Sequence, residues 1–393
     1  MNRQERFLQL HGGDRYRLDI RLDFSVNTNP LGMPDYVRRT VQASFCQSED
    51  RYCEWYPDPE CSRLRKALAA YHHISGEAIL CGNGACELIY ALVRALAASG
   101  ARAVRAVLPL PSFGEYERAL AAVGADVTCY LLEEAHGFAW NETILETLTP
   151  DTDLLFLCNP NNPTGNRIPE TLLEHILRHC REREIVVLLD ECFLELAVQE
   201  EKENVEAEGY EDFGEPNIDR KQQCRLVRIT EEYPNTVVLK AFTKWYAMPG
   251  LRLGYCISGN GLLLARMREQ IPCWSVSGIA QLAGMTALDN AEHIDYIGQS
   301  TQLIRVERAF LKSGLEKLGM HVIPGCASFL CFSVKSCEDS FHDLYERLLD
   351  VGILIRDCRS FRGMGDGWYR IAVRPHEENV CLLRELEKMK GTV

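Results

Sequence analysis

Apolar residues through the middle of the chain follow two rhythms. Ala78–Cys81, Val104–Leu108, Val127–Leu131, Leu154–Cys158, Ile185–Leu189 and Val237–Lys240 are short, nearly unbroken apolar runs. Between them, Cys86–Ala98, Tyr116–Val123 and Pro169–Arg183 repeat apolar residues at three- and four-residue spacing. The runs predict strands covered on both faces, and the spacing predicts helices. Their alternation predicts an α/β fold: a mostly parallel sheet with right-handed crossovers and helices on both faces. Polar residues recur just past the strand ends, where open sheets of this kind hold ligands.

The flanks read differently. Asn, Gly and Pro are dense from His11 to Gly32, which predicts an irregular arm, and Tyr56-Pro57-Asp58-Pro59 predicts a turn before a helix over Ser62–His72. Leu262–Gln270 and Gln281–Leu288 are predicted helices, and Ile294–Leu318 is expected to be one long, bent helix linking two domains. The end of the chain predicts strands at Phe329–Val334, Ile353–Arg356 and Tyr369–Val373, with helices at Ser340–Asp350 and Asn379–Lys390. These shorter units suggest a smaller C-terminal α+β domain. The expected division is an arm over 1–35 packing on the small domain and the active site, a large domain over 36–280 and a small domain over 281–393. Residues 199–223 carry many acidic and few large apolar groups, so a solvated, mobile insertion is expected there.

With 393 residues, 46% of them hydrophobic, the chain can bury a full core. Its formal net charge of −13 disfavours a nucleic-acid backbone as partner, without excluding a small anion held by local arginines. Seventeen cysteines are spread without CxxC pairs, and cysteine and histidine never cluster at ligand spacing. Reduced, buried cysteines, no metal and a cytoplasmic location are therefore expected; no secretory leader or 18-residue apolar run argues otherwise.

Candidate chemistry gathers at the strand ends. Lys244 follows a strand, beside Thr243 and eight residues before Arg252. An amine, a hydroxyl and a guanidinium suit a cofactor carrying an aldehyde and a phosphate. Asp190 closes an aliphatic run; it is either a cap or turn residue, or a carboxylate held against a pyridine nitrogen. Gly82-Asn83-Gly84-Ala85-Cys86 leads a strand into a helix and can offer backbone N–H groups to an anion. It is neither a P-loop nor a dinucleotide fingerprint.

Two segments together resemble the fold-type I pyridoxal-phosphate enzymes of the aspartate aminotransferase superfamily. They are Cys158-Asn159-Pro160-Asn161-Asn162-Pro163-Thr164-Gly165, and Lys240-Ala241-Phe242-Thr243-Lys244 followed by Pro249-Gly250-Leu251-Arg252-Leu253-Gly254-Tyr255. The resemblance implies pyridoxal 5'-phosphate as cofactor, with Lys244 the lysine that forms an imine with its aldehyde and Asp190 the partner of its ring nitrogen. It further implies Asn162 as donor to the phenolate oxygen, Phe113 stacked on the ring, and Gly84, Ala85, Cys86, Thr243 and Arg252 around the phosphate. Tyr56 would reach the cofactor of a neighbouring subunit, so a homodimer with shared sites is implied. Arg370 would clamp the substrate carboxylate. Phe193 departs from the pattern, standing where many relatives have a tyrosine.

Within that superfamily the chain looks most like the L-threonine-O-3-phosphate decarboxylase branch of cobalamin biosynthesis, close to the histidinol-phosphate aminotransferases. His11-Gly12-Gly13, Phe24 to Gly32, Ile355-Arg356-Asp357-Cys358 and Tyr369 to Arg374 carry that likeness. The separation of 54 residues between Asp190 and Lys244 departs from it. His11, Ser25, Asn29, Asn162, Arg356, Arg370 and Arg374 are the candidates to bind a phosphorylated amino acid. His11 capping the arm and Arg374 pairing with a surface carboxylate remain as other readings, as do transamination, a serine-phosphate substrate and a cofactor-binding protein without turnover.

Overall fold

The computed structural model describes residues 12–14, 16–46, 51–100, 102–198, 218–288 and 292–391. Its centre is a seven-stranded sheet in the order β2-β8-β7-β6-β5-β3-β4. The strands are β2 (Ile79–Gly82), β3 (Arg105–Leu110), β4 (Asp126–Leu131), β5 (Leu154–Cys158), β6 (Val186–Asp190), β7 (Thr236–Ala241) and β8 (Gly254–Ile257), β1 lying in the arm described below. All run parallel except β8, which is antiparallel to both β7 and β2. The predicted strands are present within two residues of their expected ends.

Alternate residues of each inner strand enter different cores, which is why these strands read as unbroken apolar runs. Leu155, Leu157, Val187, Leu189 and Val238 join one apolar cluster, whereas Leu154, Phe156, Leu188, Val237 and Leu239 join the other. Helices Ser62–His72, Ala85–Ser99, Glu170–Glu182 and Gly261–Glu269 lie at the predicted places. Because β8 turns back against β7, the intervening loop brings Lys244 and Arg252 to the rim where β2, β3, β5, β6 and β7 end.

A second sheet, in the order β12-β13-β10-β9, is antiparallel and holds β9 (His321–Val322), β10 (Phe329–Ser333), β12 (Arg356–Asp357) and β13 (Trp368–Ala372). The long helix Glu292–Lys317 places Tyr296 and Ile304 in the first core and Leu311 and Leu315 in a third, formed with this second sheet.

Several expectations needed correction. The strand expected over Ile353–Arg356 is two. Ile353–Leu354 (β11) pairs with Leu22–Asp23 (β1) of the arm, and β12 pairs with β13. Phe24 separates them: its N–H donates to Leu354 (2.7 Å) and its carbonyl accepts from Ala372 (2.8 Å), so the arm is wedged into the small sheet. The helix expected over Ser340–Asp350 is a short 3₁₀ turn followed by Leu344–Asp350, interrupted at Asp343, which has a positive φ of 50°. Of the expected insertion, 199–217 lies outside the described residues, and its last part belongs to a helix, Ile218–Glu232. The helix Asp35–Cys46 and strand β8 were not expected. The cysteines whose side chains are described are free, and most are buried or half-buried. Among the described residues, no helix is long and apolar enough to cross a membrane.

Candidate active site

At the strand-end rim lies a cavity of about 660 Å³, lined by Lys244, Asp190, Asn162, Phe113, Arg252, Thr243, Ala85, Cys86, Ser25, Arg356 and Arg370 among others. Strand geometry explains the convergence. Asp190 is the last residue of β6, Lys244 sits in the short helix Phe242–Trp245 that follows β7, and Arg370 comes down from β13 in the second sheet.

Lys244 is enclosed by apolar and cationic groups. Its Nζ lies 5.7 Å from the centroid of the Phe193 ring. Burial, and after it the charge of Arg370, hold its ammonium down to a pKa of about 8. About a tenth of this amine is therefore free base at pH 7, far more than of an ordinary lysine, which favours a role as nucleophile or proton carrier.

Burial pushes the Asp190 carboxyl above the ordinary carboxylate range, against hydrogen bonds that favour the anion. The Tyr116 hydroxyl donates to Oδ2 at 2.6 Å and the Cys192 N–H to Oδ1 at 2.9 Å. Tyr116 was not singled out from the sequence. The available signal was its place three residues after Phe113, one helical turn on, in the helix Gly114–Ala121.

The Asn-Pro-rich loop after β5 is built to hold Asn162. Asn159 accepts from the Ile168 N–H (3.0 Å), Asn161 donates to Pro111 (3.1 Å) and Thr164 (3.0 Å), and Asn166 donates to Gly137 (2.7 Å). Asn162 then accepts from the Arg370 guanidinium. Arg370 also donates to the Ser25 carbonyl at 2.8 Å and lies over the Phe329 ring at 5.3 Å. With its amide oxygen turned inward, Asn27 accepts from Arg370 at 3.3 Å. All these partners are neutral, and burial lowers the Arg370 pKa to about 10.

At the other end, Gly84 has φ 80°, and a Cβ there would stand 2.7 Å from Nη2 of Arg252. A Cβ on Gly254 would stand 2.5 Å from the Ala85 nitrogen. Two glycines thus let a guanidinium and the start of helix Ala85–Ser99 close on one point. No side chain caps that helix start, so its N–H groups and Arg252 form a ready anion seat beside Thr243.

Other candidates fall differently. Ser25 lines the cavity, but its hydroxyl donates to Asp23 (2.7 Å) and accepts from the Gly13 N–H (2.8 Å). Arg356 lines the cavity and donates to Ser360 at 2.6 Å. Asn29 does not reach it: the side chain donates to Trp245 (3.0 Å) and Ser300 (2.7 Å) and accepts from Leu31 (3.0 Å), which makes it a structural clamp. Arg374 is likewise outside, paired with Glu378 at 2.8 Å. Tyr56 is 79% exposed, stacks on Trp274 at 4.5 Å and is absent from this cavity's lining. His11 lies outside the described residues.

Residues 19–386 match the family model of aminotransferase class I and II. The chain belongs to that family. Relatives of this class I and II aminotransferase-family chain include a threonine-phosphate decarboxylase of Salmonella typhimurium, 37% identical over 94% of this chain and 92% of that protein. A histidinol-phosphate aminotransferase of Methanosarcina mazei is 32% identical over 93% of this chain and 88% of its own length. Among solved structures, the histidinol-phosphate aminotransferase of Clostridium acetobutylicum superposes with a TM-score of 0.78 at 26% identity, covering 95% of this chain and all of that one.

The family depends on pyridoxal phosphate, and the residues present fit it. The anion seat of Arg252, Thr243 and the helix start suits the cofactor's phosphate, while Asp190, steadied by Tyr116 and Cys192, suits a protonated ring nitrogen. Lys244, with its lowered pKa, suits the aldehyde.

Proposed function

We propose that the protein is a pyridoxal-phosphate-dependent carboxy-lyase. It would convert L-threonine O-3-phosphate to (R)-1-amino-2-propanol O-2-phosphate and carbon dioxide, the linker precursor of the cobalamin nucleotide loop. One observation carries this reading: Arg356 and Arg370 are register partners across β12 and β13, and both line the cavity that holds Lys244. Directly opposed residues project to the same face, a few ångströms apart. Like charges so placed call for a ligand with two anionic groups, and an amino acid bearing a phosphate provides them. The decarboxylase relative supports the choice of substrate.

When bound, pyridoxal phosphate supplies an aldehyde for the substrate amine and an electron-withdrawing ring that stabilises negative charge at Cα. Arg370, held by Asn162 and the Ser25 carbonyl, grips the α-carboxylate, and Arg356 grips the phosphate. A two-point grip fixes rotation about the bond from the amine to Cα, and that angle decides whether carboxylate or hydrogen leaves. Lys244 then carries a proton to Cα. Asp190 keeps the ring nitrogen paired. Tyr56, exposed and stacked on Trp274, is available to a second subunit, so the proposal includes a homodimer with shared sites; it also includes a cytoplasmic location.

The histidinol-phosphate relatives favour a second reading, transamination, which needs a 2-oxoacid acceptor. The test is cofactor-loaded protein with L-threonine O-3-phosphate and no oxoacid, following carbon dioxide and aminopropanol phosphate by mass. Many turnovers of stoichiometric release are expected. Intact substrate would refute the proposal, and histidinol phosphate with 2-oxoglutarate, then serine phosphate, would be tried next.

A further inference from the structure

We infer that Ser360 is a specificity-determining donor to the substrate's phosphate, and that Phe361 is the positioning residue that presents Arg356 beside it. The inference rests on reading the cavity as a phosphoamino-acid site.

Arg356 opens β12, whose backbone is held by pairing with β13, but its side chain has four rotatable bonds. Ser360 and Phe361 are among the neighbours that restrain it. Nη2 donates to the Ser360 hydroxyl at 2.6 Å, and the guanidinium carbon stands 5.0 Å from the centroid of the Phe361 ring. Phe361 is buried in the large apolar core with Met364 and Trp368, so the surface under the guanidinium is fixed. A cation over an aromatic face in a restricted environment is attractive and reduces the freedom lost on binding.

Ser360 is exposed, lines the main cavity with Arg356, and also lines a small annex of about 20 Å³ with Gly12, Ser25 and Tyr345. Its turn is held from both sides. The Asp357 carboxylate accepts from the Arg359 N–H (2.8 Å) and from its Nε (2.8 Å), which keeps that neighbouring arginine occupied. Beyond the turn, Gly363 has φ 91°, and a Cβ there would come within 3.3 Å of the Pro111 nitrogen. The loop is therefore seated against the segment that leads to Phe113.

A serine hydroxyl has one proton to donate. Here its oxygen is engaged by Arg356, so the proton points elsewhere, and the cavity is adjacent. A planar carboxylate can be satisfied by an arginine fork alone. A tetrahedral phosphate presents a third oxygen outside that plane, and Ser360 is placed to meet it. This separates the Arg356 station from the Arg370 station, whose partners are Asn162, Asn27 and a carbonyl.

The experiment is calorimetric titration of cofactor-loaded protein with inorganic phosphate, which needs no turnover, on wild type, Ser360→Ala, Ser360→Thr, Phe361→Leu and Phe361→Tyr. Cofactor absorbance and melting temperature confirm that each variant is folded and loaded. Losing a charge-assisted bond is expected to weaken phosphate binding about tenfold in Ser360→Ala. Phe361→Leu should weaken it about threefold to tenfold by the loss of a cation–π contact. Ser360→Thr and Phe361→Tyr should restore it. Wild-type binding in Ser360→Ala or Phe361→Leu, failure of both rescues, or no phosphate binding by the wild type would overturn the inference. Serine-dependent phosphate binding in a protein that releases no carbon dioxide would sustain the inference and sink the decarboxylase reading. Normal carbon dioxide release with phosphate binding indifferent to both positions would do the reverse.

Discussion

The lysine that the chemistry needs should weaken the fold that holds it. In the unfolded chain Lys244 has an ordinary pKa of 10.5, and in the native cavity it is held near 8 by burial and by Arg370. The native state thus binds fewer protons than the unfolded state between those values, so stability rises with pH across that window. Below about 8 both states carry the ammonium, and the native state bears the full cost of enclosing it. At about 1.36 kcal/mol per pH unit, the difference amounts to about 3 kcal/mol. Residual solvent contact reduces this to about 2 kcal/mol. Lys244→Met keeps most of the stem and removes the charge. In cofactor-free protein at pH 7, the variant should be more stable than wild type by about 2 kcal/mol, a rise of roughly 2–3 °C in melting temperature for a chain of this length. The gain should shrink as pH rises past 8 and vanish above about 10.5. Denaturant midpoints of both proteins at pH 7, 9 and 10.5 measure this. A variant no more stable than wild type at pH 7, or a gain that persists undiminished at pH 10.5, would refute the reasoning.

Three further outcomes are expected. Tyr116→Phe removes a hydrogen bond to the Asp190 anion, so the carboxyl pKa, already raised by burial, rises further; cofactor retention should fall off at higher pH than in wild type, and an unchanged pH profile of retention would count against the Tyr116 role. Gly84→Ala places a methyl 2.7 Å from the Arg252 guanidinium at a positive φ, so cofactor affinity measured by fluorescence should drop on the order of tenfold or more, with the sheet intact by circular dichroism. Lys240, four residues before the catalytic candidate, is buried against Glu195 and Glu191; Lys240→Met should cost about 3–5 kcal/mol in a denaturant titration, and adding Glu195→Gln should recover part of it.

Much of this protein is legible in its sequence because burial on both sheet faces leaves a plain mark. Leu154–Cys158 is buried at all five positions, and its run of apolar residues reads as an inner strand without any partner in view. The helix Asp35–Cys46 escaped because only Tyr36 and Val37 are buried, too few to set a period. Lys244, Asp190 and Arg370 were visible because their local setting, a polar residue at a strand end or a motif around it, travels with the sequence. The tertiary structure alone decided which look-alikes share the cavity. Asn27 and Asn29 are two residues apart in one polar stretch, yet Asn27 is placed to meet Arg370 while Asn29 is spent on Trp245 and Ser300, more than two hundred residues away. Arg370 and Arg374 stand one turn of sequence apart, and only the first lies on the strand that faces Arg356. The split of Ile353–Asp357 into two strands likewise depends on Phe24, over three hundred residues earlier, donating to Leu354 on one side and accepting from Ala372 on the other. Periodicity records which face of an element is buried, a local property. Which polar group meets which is set by pairings between distant segments, and those are made only when the chain folds.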